Sequence, residues 1–371
     1  MSFDRLQEKI DEMQNPTVVG LDPALEHVPP YILEKHFEKH GETLWAAAVA
    51  VCEYNTLLIN ALHDIVPAVK PQLAFYEALG TEGLVTFEKT CQYAKSMGMY
   101  VIGDGKRNDI GSTAEAYSAA YLGATKVGAK EYHPFEVDAL TINAYLGSDG
   151  IRPFLKAAIK YDKAIFALVK TSNPSAAELQ DLCLIREGMQ GIQGMQSNAD
   201  SELYKRSQEP NAESVGNTSI DEETCSSVKR KDHLAPQTQP KTQPRMQLDG
   251  QSGTLYMAVG DLIEEISGET AGKYGYTRVG AVVGATYPGE IGFLRARLKK
   301  TFFLVPGYGA QGGSAEDVAR AFDENKRGAI INASRSIITA WKKQDGDFAT
   351  AARHEALRMR EKLRRVIYAV D

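Results

Sequence analysis

Cysteine is scarce in this chain: Cys52, Cys91, Cys183 and Cys225 are the only four in 371 residues, and no two form a CxxC pair. That scatter excludes a disulfide scaffold and suits buried or incidental thiols in a reducing cytosol. An excess of positive charge is also missing. The formal net charge is −6 with a pI near 5.8, so a broad nucleic-acid-binding surface is not expected. A site for one small anion remains possible, because it needs only a few Arg and backbone N–H groups. The first ten residues are of mixed charge and lack the apolar centre of a secretory leader. No long apolar run is uninterrupted: the stretch from Trp45 to Ile65 carries Glu53, Asn55, Asn60 and His63, which argues against a membrane span. A cytoplasmic protein with neither a membrane nor a nucleic-acid partner is expected.

The length suits a decorated (β/α)8 barrel, and a 43% hydrophobic fraction is enough for a substantial core. Short apolar runs alternate with longer amphipathic ones. The strand candidates are Thr17–Leu21, Val66–Pro71, Met99–Asp104, Asp138–Asn143, Ala164–Lys170, Val279–Gly284, Thr301–Pro306 and Ala329–Asn332. Helical patterns lie between them at Trp45–Asp64, Glu82–Met97, Ser112–Val127, Asp149–Tyr161 and Ser314–Asn325. Eight strands alternating with helices is the pattern of parallel βα units. An open doubly wound sheet shares that pattern, but the polar residues favour a barrel. Asp22, Lys70, Asp104, Asn143, Thr171, Pro306 and Arg335 all fall at or just past different strand ends, which a barrel gathers around one mouth.

One segment breaks the alternation. From Arg186 to Gly253 the chain is rich in Gln, Ser, Asn and Pro, and Tyr204 is its only aromatic residue. It includes the tract from Pro236 to Pro244 and lacks sustained apolar periodicity. Such a stretch cannot bury enough surface to offset its ordering entropy. We expect one α/β domain, a TIM barrel over 1–371, with residues 186–253 as a disordered insertion after strand five that hangs free of the mouth. Helical pattern resumes at Leu255–Ile266.

Chemistry concentrates in Gly103-Asp-Gly-Lys-Arg-Asn-Asp-Ile-Gly-Ser-Thr113. Asp104 and Lys106, two apart at a strand end, point the same way into the mouth. Asp109 and Thr113 follow, and Lys70 ends the preceding strand. Scattered Asp and Lys alone would read as a solvated surface cluster. Here they sit beside Gly103, Gly105 and Gly111, where backbone can approach a ligand.

The pattern Asp104-x-Lys106-x-x-Asp109-x-x-x-Thr113 resembles the signature of orotidine 5′-phosphate decarboxylases. Val18–Pro23, Val69–Tyr76, Leu168–Pro174, Val282–Thr286, Val305–Gly312 and Ile331–Arg335 resemble one branch of that family in the right order. The similarity runs from about Pro16 to Ile338, the insertion excepted. It implies a cofactor-free decarboxylation of orotidine 5′-phosphate to uridine 5′-phosphate, with no metal, in a homodimer with shared active sites. Lys106 would donate a proton to C6, Asp104 would lie against the departing carboxylate, and Asp109 would come from the partner subunit. Lys70 would bridge the charge array and the ribose. Asp22 and the partner's Thr113 would hold ribose hydroxyls, Thr171 and Ser172 would meet the pyrimidine edge, and Gln311 and Arg335 would grip the phosphate.

Other signals stand beside this one. Gly307-Tyr-Gly-Ala-Gln-Gly312 matches GxGxxG, but the next strand ends in Asn332-Ala-Ser-Arg335 without a ribose-binding acid, so the loop reads as a phosphate cradle. His36 and His40 share a helical spacing, yet the stretch reads more simply as a solvated face than as metal ligands. Two departures from the family stand out: Ala333-Ser-Arg-Ser336 replaces a Gly-Arg-Gly arrangement beside the phosphate cation, and the insertion is long. Two alternatives stay open: a Mg²⁺-dependent sugar-phosphate decarboxylase or synthase on the same barrel, and a non-enzymatic role with the insertion as an interaction module on a vestigial barrel.

Overall fold

The structure, a computed structural model, describes residues 1–184, 253–268, 270–309, 312–344 and 346–368. Eight parallel strands close into a barrel: β1 Thr17–Leu21, β2 Ala68–Pro71, β3 Tyr100–Arg107, β4 Ala139–Ile142, β5 Ala164–Lys170, β6 Val279–Val283, β7 Phe303–Val305 and β8 Ala329–Ala333. Thr17 of β1 lies opposite Ile331 of β8, which completes the ring. Every strand expected from the alternating pattern is present.

Successive side chains of a strand point to opposite faces, and here both faces are buried. The inward set includes Val18, Ala68, Ile102, Ala139, Phe166, Val282, Leu304 and Ile330, all in one buried cluster. Phe3, Leu6 and Ile10 of the helix Ser2–Met13 join that cluster. The Phe3 ring centroid is 5.0 Å from those of both Phe166 and Phe302, so this helix plugs the end where the strands begin. The outward set, including Val19, Val69, Val101, Leu140, Ile165 and Ile331, packs under the surrounding helices. Toward the opposite end the inward rows turn polar at the next alternate position. Ala68 is followed by Lys70, Ile102 by Asp104, Ala139 by Thr141 and Ile330 by Asn332. The periodicity that fills the core therefore also supplies the mouth.

Two bulges adjust this register. Between β3 and β4 the partners step from Gly103↔Leu140 to Arg107↔Ile142, so Asp104, Gly105 and Lys106 face the single residue Thr141. Lys106 has φ +46°, a left-handed conformation uncommon for a residue with a Cβ. Between β5 and β6 the partners step from Leu168↔Val282 to Lys170↔Val283, leaving Val169 as the extra residue. Lys170 is thereby paired with an outward-facing position.

Two expected helices are shorter than their patterns. The segment Ser112–Val127 is helical only over Gly111–Tyr121. Thr125–Val127 instead pairs antiparallel with Lys130–Tyr132, as suits its β-branched residues and the positive φ of Gly128. The segment Ser314–Asn325 is helical over Ala315–Ala319, and further on the Asp323 carboxylate accepts the backbone N–H groups of Asn325 and Arg327 at 2.9 and 3.0 Å, forming a turn. The helix Leu44–Leu62 is long and apolar enough to cross a membrane by length and composition. Here it packs against the helices Gly80–Ser96 and Phe348–Ile367, with Ala46, Ala50, Val51, Tyr54 and Leu58 buried.

The insertion expected over 186–253 lies outside the described residues except for Gly253. Its flanks are described: Cys183 pairs antiparallel with Thr254 and Leu184 with Gly253. The chain thus leaves and re-enters the barrel through adjacent residues of one two-stranded ladder, and the helix Leu255–Ile266 follows directly.

Candidate active site

A cavity of about 490 Å³ opens at the C-terminal ends of the strands, the usual location for active sites in this architecture. Its floor is apolar, made by Leu168, Val282 and Leu304 from β5, β6 and β7. Its rim is polar, with Asp22, Lys70, Gln72, Asp104, Lys106, Thr141, Thr171, Ser172, Asn173, Gln180 and Asn332. An apolar floor beneath a ring of convergent polar groups suits a small molecule that carries both kinds of surface.

Asp104 is the centre of the polar side. One carboxylate oxygen, Oδ2, accepts from Lys70 Nζ at 2.5 Å and from Gln72 Nε2 at 2.9 Å. The other, Oδ1, accepts from Lys106 Nζ at 2.7 Å and from Thr141 Oγ1 at 2.8 Å. Four donors fill the hydrogen-bonding capacity of one ionised carboxylate. Thr141 also accepts from the Lys106 backbone N–H at 3.0 Å, which pins the bulged, left-handed Lys106 in place. Lys70 and Asp104 are buried, whereas the Lys106 side chain is 46% exposed toward the cavity opening.

Burial alone would raise the Asp104 pKa. The ammonium charges of Lys70 and Lys106 and their hydrogen bonds overcome it and hold the carboxyl well below the usual carboxylate range. For Lys70 burial works against the ammonium, but the carboxylates of Asp104 and Asp22 win and its pKa is raised. Both groups are therefore ionised at neutral pH.

Asp22, just past β1, is held from the far side of the barrel seam. Ser334 Oγ contacts Asp22 Oδ2 at 2.6 Å and the Gly20 carbonyl at 3.1 Å. The approach requires Gly20, because a Cβ there would lie 2.8 Å from Ser334 Cβ. The serine that departs from the family pattern thus buttresses a cavity residue. Asp22 Oδ1 and Asn332 Oδ1 are buried with no hydrogen-bond partner among the described residues, and both residues line the cavity. An unpartnered buried acceptor costs about 1–3 kcal/mol and marks a place where a bound hydroxyl or amide would be stabilising.

The structure brings together seven of the residues singled out from the sequence: Asp22, Lys70, Asp104, Lys106, Thr171, Ser172 and Pro306. Asp109 and Thr113 do not join them. Asp109 Oδ1 accepts the next backbone N–H, from Ile110, at 2.8 Å, and Thr113 is exposed on the first turn of Gly111–Tyr121. Arg335 is exposed outside the residues that line the cavity, and its guanidinium has no hydrogen-bond partner among the described residues. Gln311 lies outside the described residues, as does its neighbour 310; the flanking Gly307, Gly309 and Gly312 all have positive φ, as a tight turn requires. Gly103 and Gly105 do not provide room for a ligand: a Cβ at either would meet Val137 or Leu73, so they serve close packing. His36 pairs with Glu53, Nε2 to Oε2 at 2.7 Å.

Sequence reasoning missed Gln72, Thr141, Gln180 and Asn332. Thr141 and Asn332 had a readable signal, since each follows an inward apolar residue by two. Asn143, taken from the strand end, is exposed instead and accepts the Tyr145 N–H at 2.9 Å. Gln180 had none, because a loop fold brings it back to Thr171.

The chain is similar to known proteins along most of its length. A sequence profile described as the orotidine 5′-phosphate decarboxylase / HUMPS family matches residues 19–253. The orotidine 5′-phosphate decarboxylase of Rhodopirellula baltica is 35% identical, covering 94% of each chain. That of Caldicellulosiruptor bescii is 34% identical, covering 91% of this chain and 90% of its own. Among solved structures, Leishmania donovani OMP decarboxylase is similar with a TM-score of 0.62 and 25% identity, over 99% of both chains. Leishmania donovani UMP synthase is similar with a TM-score of 0.62 and 26% identity, and this chain spans 56% of its length.

Asp104 is the main counter-charge of a buried ammonium, which sets an expectation for stability. Asp104→Asn keeps the shape but leaves Lys70 with Asp22 alone, so urea unfolding at pH 7 should show a loss of about 3 kcal/mol. Because the folded-state pKa of Asp104 is depressed, its contribution is present above the unfolded value of about 3.9 and is lost as pH falls through the folded value. The gap between the two proteins should therefore persist from pH 7 to about pH 5 and narrow only in stronger acid. A gap that closes near pH 6 would show that Asp104 is not the titrating group.

Proposed function

The chain belongs to the orotidine 5′-phosphate decarboxylase family, and we propose that its charged array removes carbon dioxide from the substrate directly, without a metal, with Lys106 returning a proton to C6. It is a carboxy-lyase of pyrimidine biosynthesis that forms uridine 5′-phosphate. The observation that carries the mechanistic reading is the four-donor Asp104 carboxylate held between two lysines at the cavity.

Loss of carbon dioxide from C6 of the pyrimidine leaves a carbanion whose lone pair lies in the ring plane, outside the π system. Delocalisation into the ring cannot spread that charge. Stabilisation has to be electrostatic, from a fixed cation in a site that excludes water. Lys106 is such a cation, oriented by Asp104 and by the Thr141–backbone bond. Asp104, ionised and saturated with donors, repels a substrate carboxylate laid beside it, and that repulsion is relieved as the carboxylate leaves as neutral carbon dioxide. The developing charge then faces the Lys106 ammonium, which stabilises it and donates one N–H proton to C6. Lys70 holds the array together and reaches the ribose, Asp22 accepts from a ribose hydroxyl, and Thr171 and Ser172 face the pyrimidine edge. Gln311 and Arg335 grip the phosphate. Binding energy from that remote group can be spent at the reacting carbon.

The enzyme acts as a homodimer in which each site takes Asp109 and Thr113 from the partner. Support comes from their position outside their own cavity and from the surface around them. The helices Gly111–Tyr121 and Ser148–Lys160 flank a groove of about 690 Å³ in which Ile110, Pro153, Leu155 and Ile159 form an apolar strip among Glu115, Asp149, Arg152 and Lys156, with Ile110 and Ile159 55% and 61% exposed. An exposed apolar strip of this kind favours self-association. The described cysteines Cys52, Cys91 and Cys183 are free thiols, in keeping with the reducing cytosol as the working compartment. The chain works as one barrel domain, and residues 186–253 act as a tether outside the chemistry.

Two experiments test these readings. Lys106→Ala and Asp109→Ala subunits should each be inactive alone, because each dimer lacks an essential group in both sites. Unfolding and refolding them together should restore about a quarter of wild-type activity, since half the dimers are mixed and carry one complete site. Failure of the mixture to exceed either parent would rule out shared sites. Replacing residues 185–252 with a two-residue turn joining Leu184 to Gly253 should leave kcat/KM within about threefold. A loss of a hundredfold or more would place the segment in the active site.

A further inference from the structure

Lys170 is a buried charge that the catalytic array does not use. It ends β5 with 0% exposure. Strict alternation would send it inward after Phe166 and Leu168, but the bulge at Val169 pairs it with outward-facing Val283. Its ammonium is ion-paired with Asp181 and stands 4.5 Å from the Tyr287 ring centroid and 5.2 Å from that of Tyr256. Three segments therefore meet on one cation: the loop after β5 through Asp181, the loop after β6 through Tyr287, and the helix Leu255–Ile266 through Tyr256.

The chain neighbours of this ion pair are the residues that face the cavity. Thr171, next to Lys170, donates its backbone N–H to Gln180 Oε1 at 2.9 Å, and Gln180, next to Asp181, donates Nε2–H to Thr171 Oγ1 at 2.7 Å. Thr171 Oγ1 donates in turn to Asn173 Oδ1 at 2.6 Å, and the Tyr287 hydroxyl reaches the Asn173 carbonyl at 3.4 Å. The ion pair and the Thr171–Gln180 bonds thus close the base of one loop side by side, and Thr171, Ser172, Asn173 and Gln180 line the cavity. Immediately beyond Asp181 the chain enters the ladder of Cys183–Leu184 with Gly253–Thr254.

We propose that Lys170, through Asp181 and the rings of Tyr256 and Tyr287, is the positioning residue for the pyrimidine-facing wall of the site, and that Gln180 is a substrate-facing member of that wall. The inference rests on the assignment of Thr171 and Ser172 to the pyrimidine edge. A buried ammonium is expensive to desolvate and gains little net stability from one carboxylate. What it adds is geometry, since cation–ring contacts and a charge-assisted bond fix three separate segments to one point. Loosening that point frees the pyrimidine wall but leaves the ribose side at β1 and β8 untouched.

The test separates the pyrimidine from the rest of the nucleotide. The KM for orotidine 5′-phosphate is measured together with the Ki of ribose 5-phosphate, which has the sugar and phosphate but no pyrimidine. Lys170→Met keeps the length and packing without the charge and should raise KM about tenfold while leaving that Ki within twofold. Lys170→Arg should recover most of the loss, because a guanidinium also stacks on rings and pairs with a carboxylate. Asp181→Asn, at a half-exposed position, should show the same split and carries the test if Lys170→Met fails to fold. Thr171→Ala tests the underlying assignment and should raise KM alone as well. If Thr171→Ala raises KM but the Lys170 and Asp181 variants do not, the positioning role is wrong. KM and Ki rising together would show general loosening and overturn it too. No effect from any variant would sink the pyrimidine assignment along with it.

Discussion

A single carboxylate organises the reactive end of this barrel. Asp104 sits where the inward row of β3 turns from apolar to polar, and it is buried with four donors on its two oxygens. A carboxylate in that position is tolerable only because two ammonium groups and two neutral donors replace the water it has lost. The reverse also holds, because Lys70 is buried and keeps its proton through Asp104 and Asp22. Each charge makes the other possible. The result is a cation, Lys106, that is fixed in direction yet still faces the cavity opening, which is the property an electrostatic catalyst needs before the substrate arrives.

The barrel supports this arrangement by departing from its own regularity in two places. The β3 bulge sets three residues against Thr141, so Asp104 and Lys106 both reach the mouth and Thr141 can bond each of them. The β5 bulge does the opposite for Lys170, turning it out of the mouth and into the wall behind Thr171. Two lysines at two strand ends thus receive different environments from one-residue or two-residue shifts of register. The third device is at the seam between β1 and β8, where Gly20 gives Ser334 room to brace Asp22.

Much of this was legible in the sequence, for physical reasons that can be named. A period of two with apolar residues on both faces predicts parallel strands under helices, and all eight are found. The same period carried one step further predicts Lys70 and Asp104 at the mouth. It would have found Thr141 and Asn332 as well, had the inward row been followed instead of the last residue of each strand. Bulges are not periodic, so the left-handed turn at Lys106 and the outward turn of Lys170 could not be read. Gln180 reaches Thr171 through a loop whose closure depends on Asp181 and two distant tyrosines. Helix ends at Tyr121 and Ala319 were overrun because local turn chemistry, at Gly128 and Asp323, outweighs an amphipathic pattern. Asp109 and Thr113 lie away from the cavity, on the segment that leads from β3 into the helix Gly111–Tyr121.

In the proposed mechanism this array decarboxylates orotidine 5′-phosphate with no metal ion. The most direct measurement is to mix the purified full-length protein with orotidine 5′-phosphate in excess EDTA, follow the loss of substrate absorbance and identify the product by chromatography. The expected result is rapid conversion to uridine 5′-phosphate at a rate that EDTA does not change. Turnover that disappears with EDTA and returns with Mg²⁺, or a folded dimer that leaves the substrate intact, would contradict it.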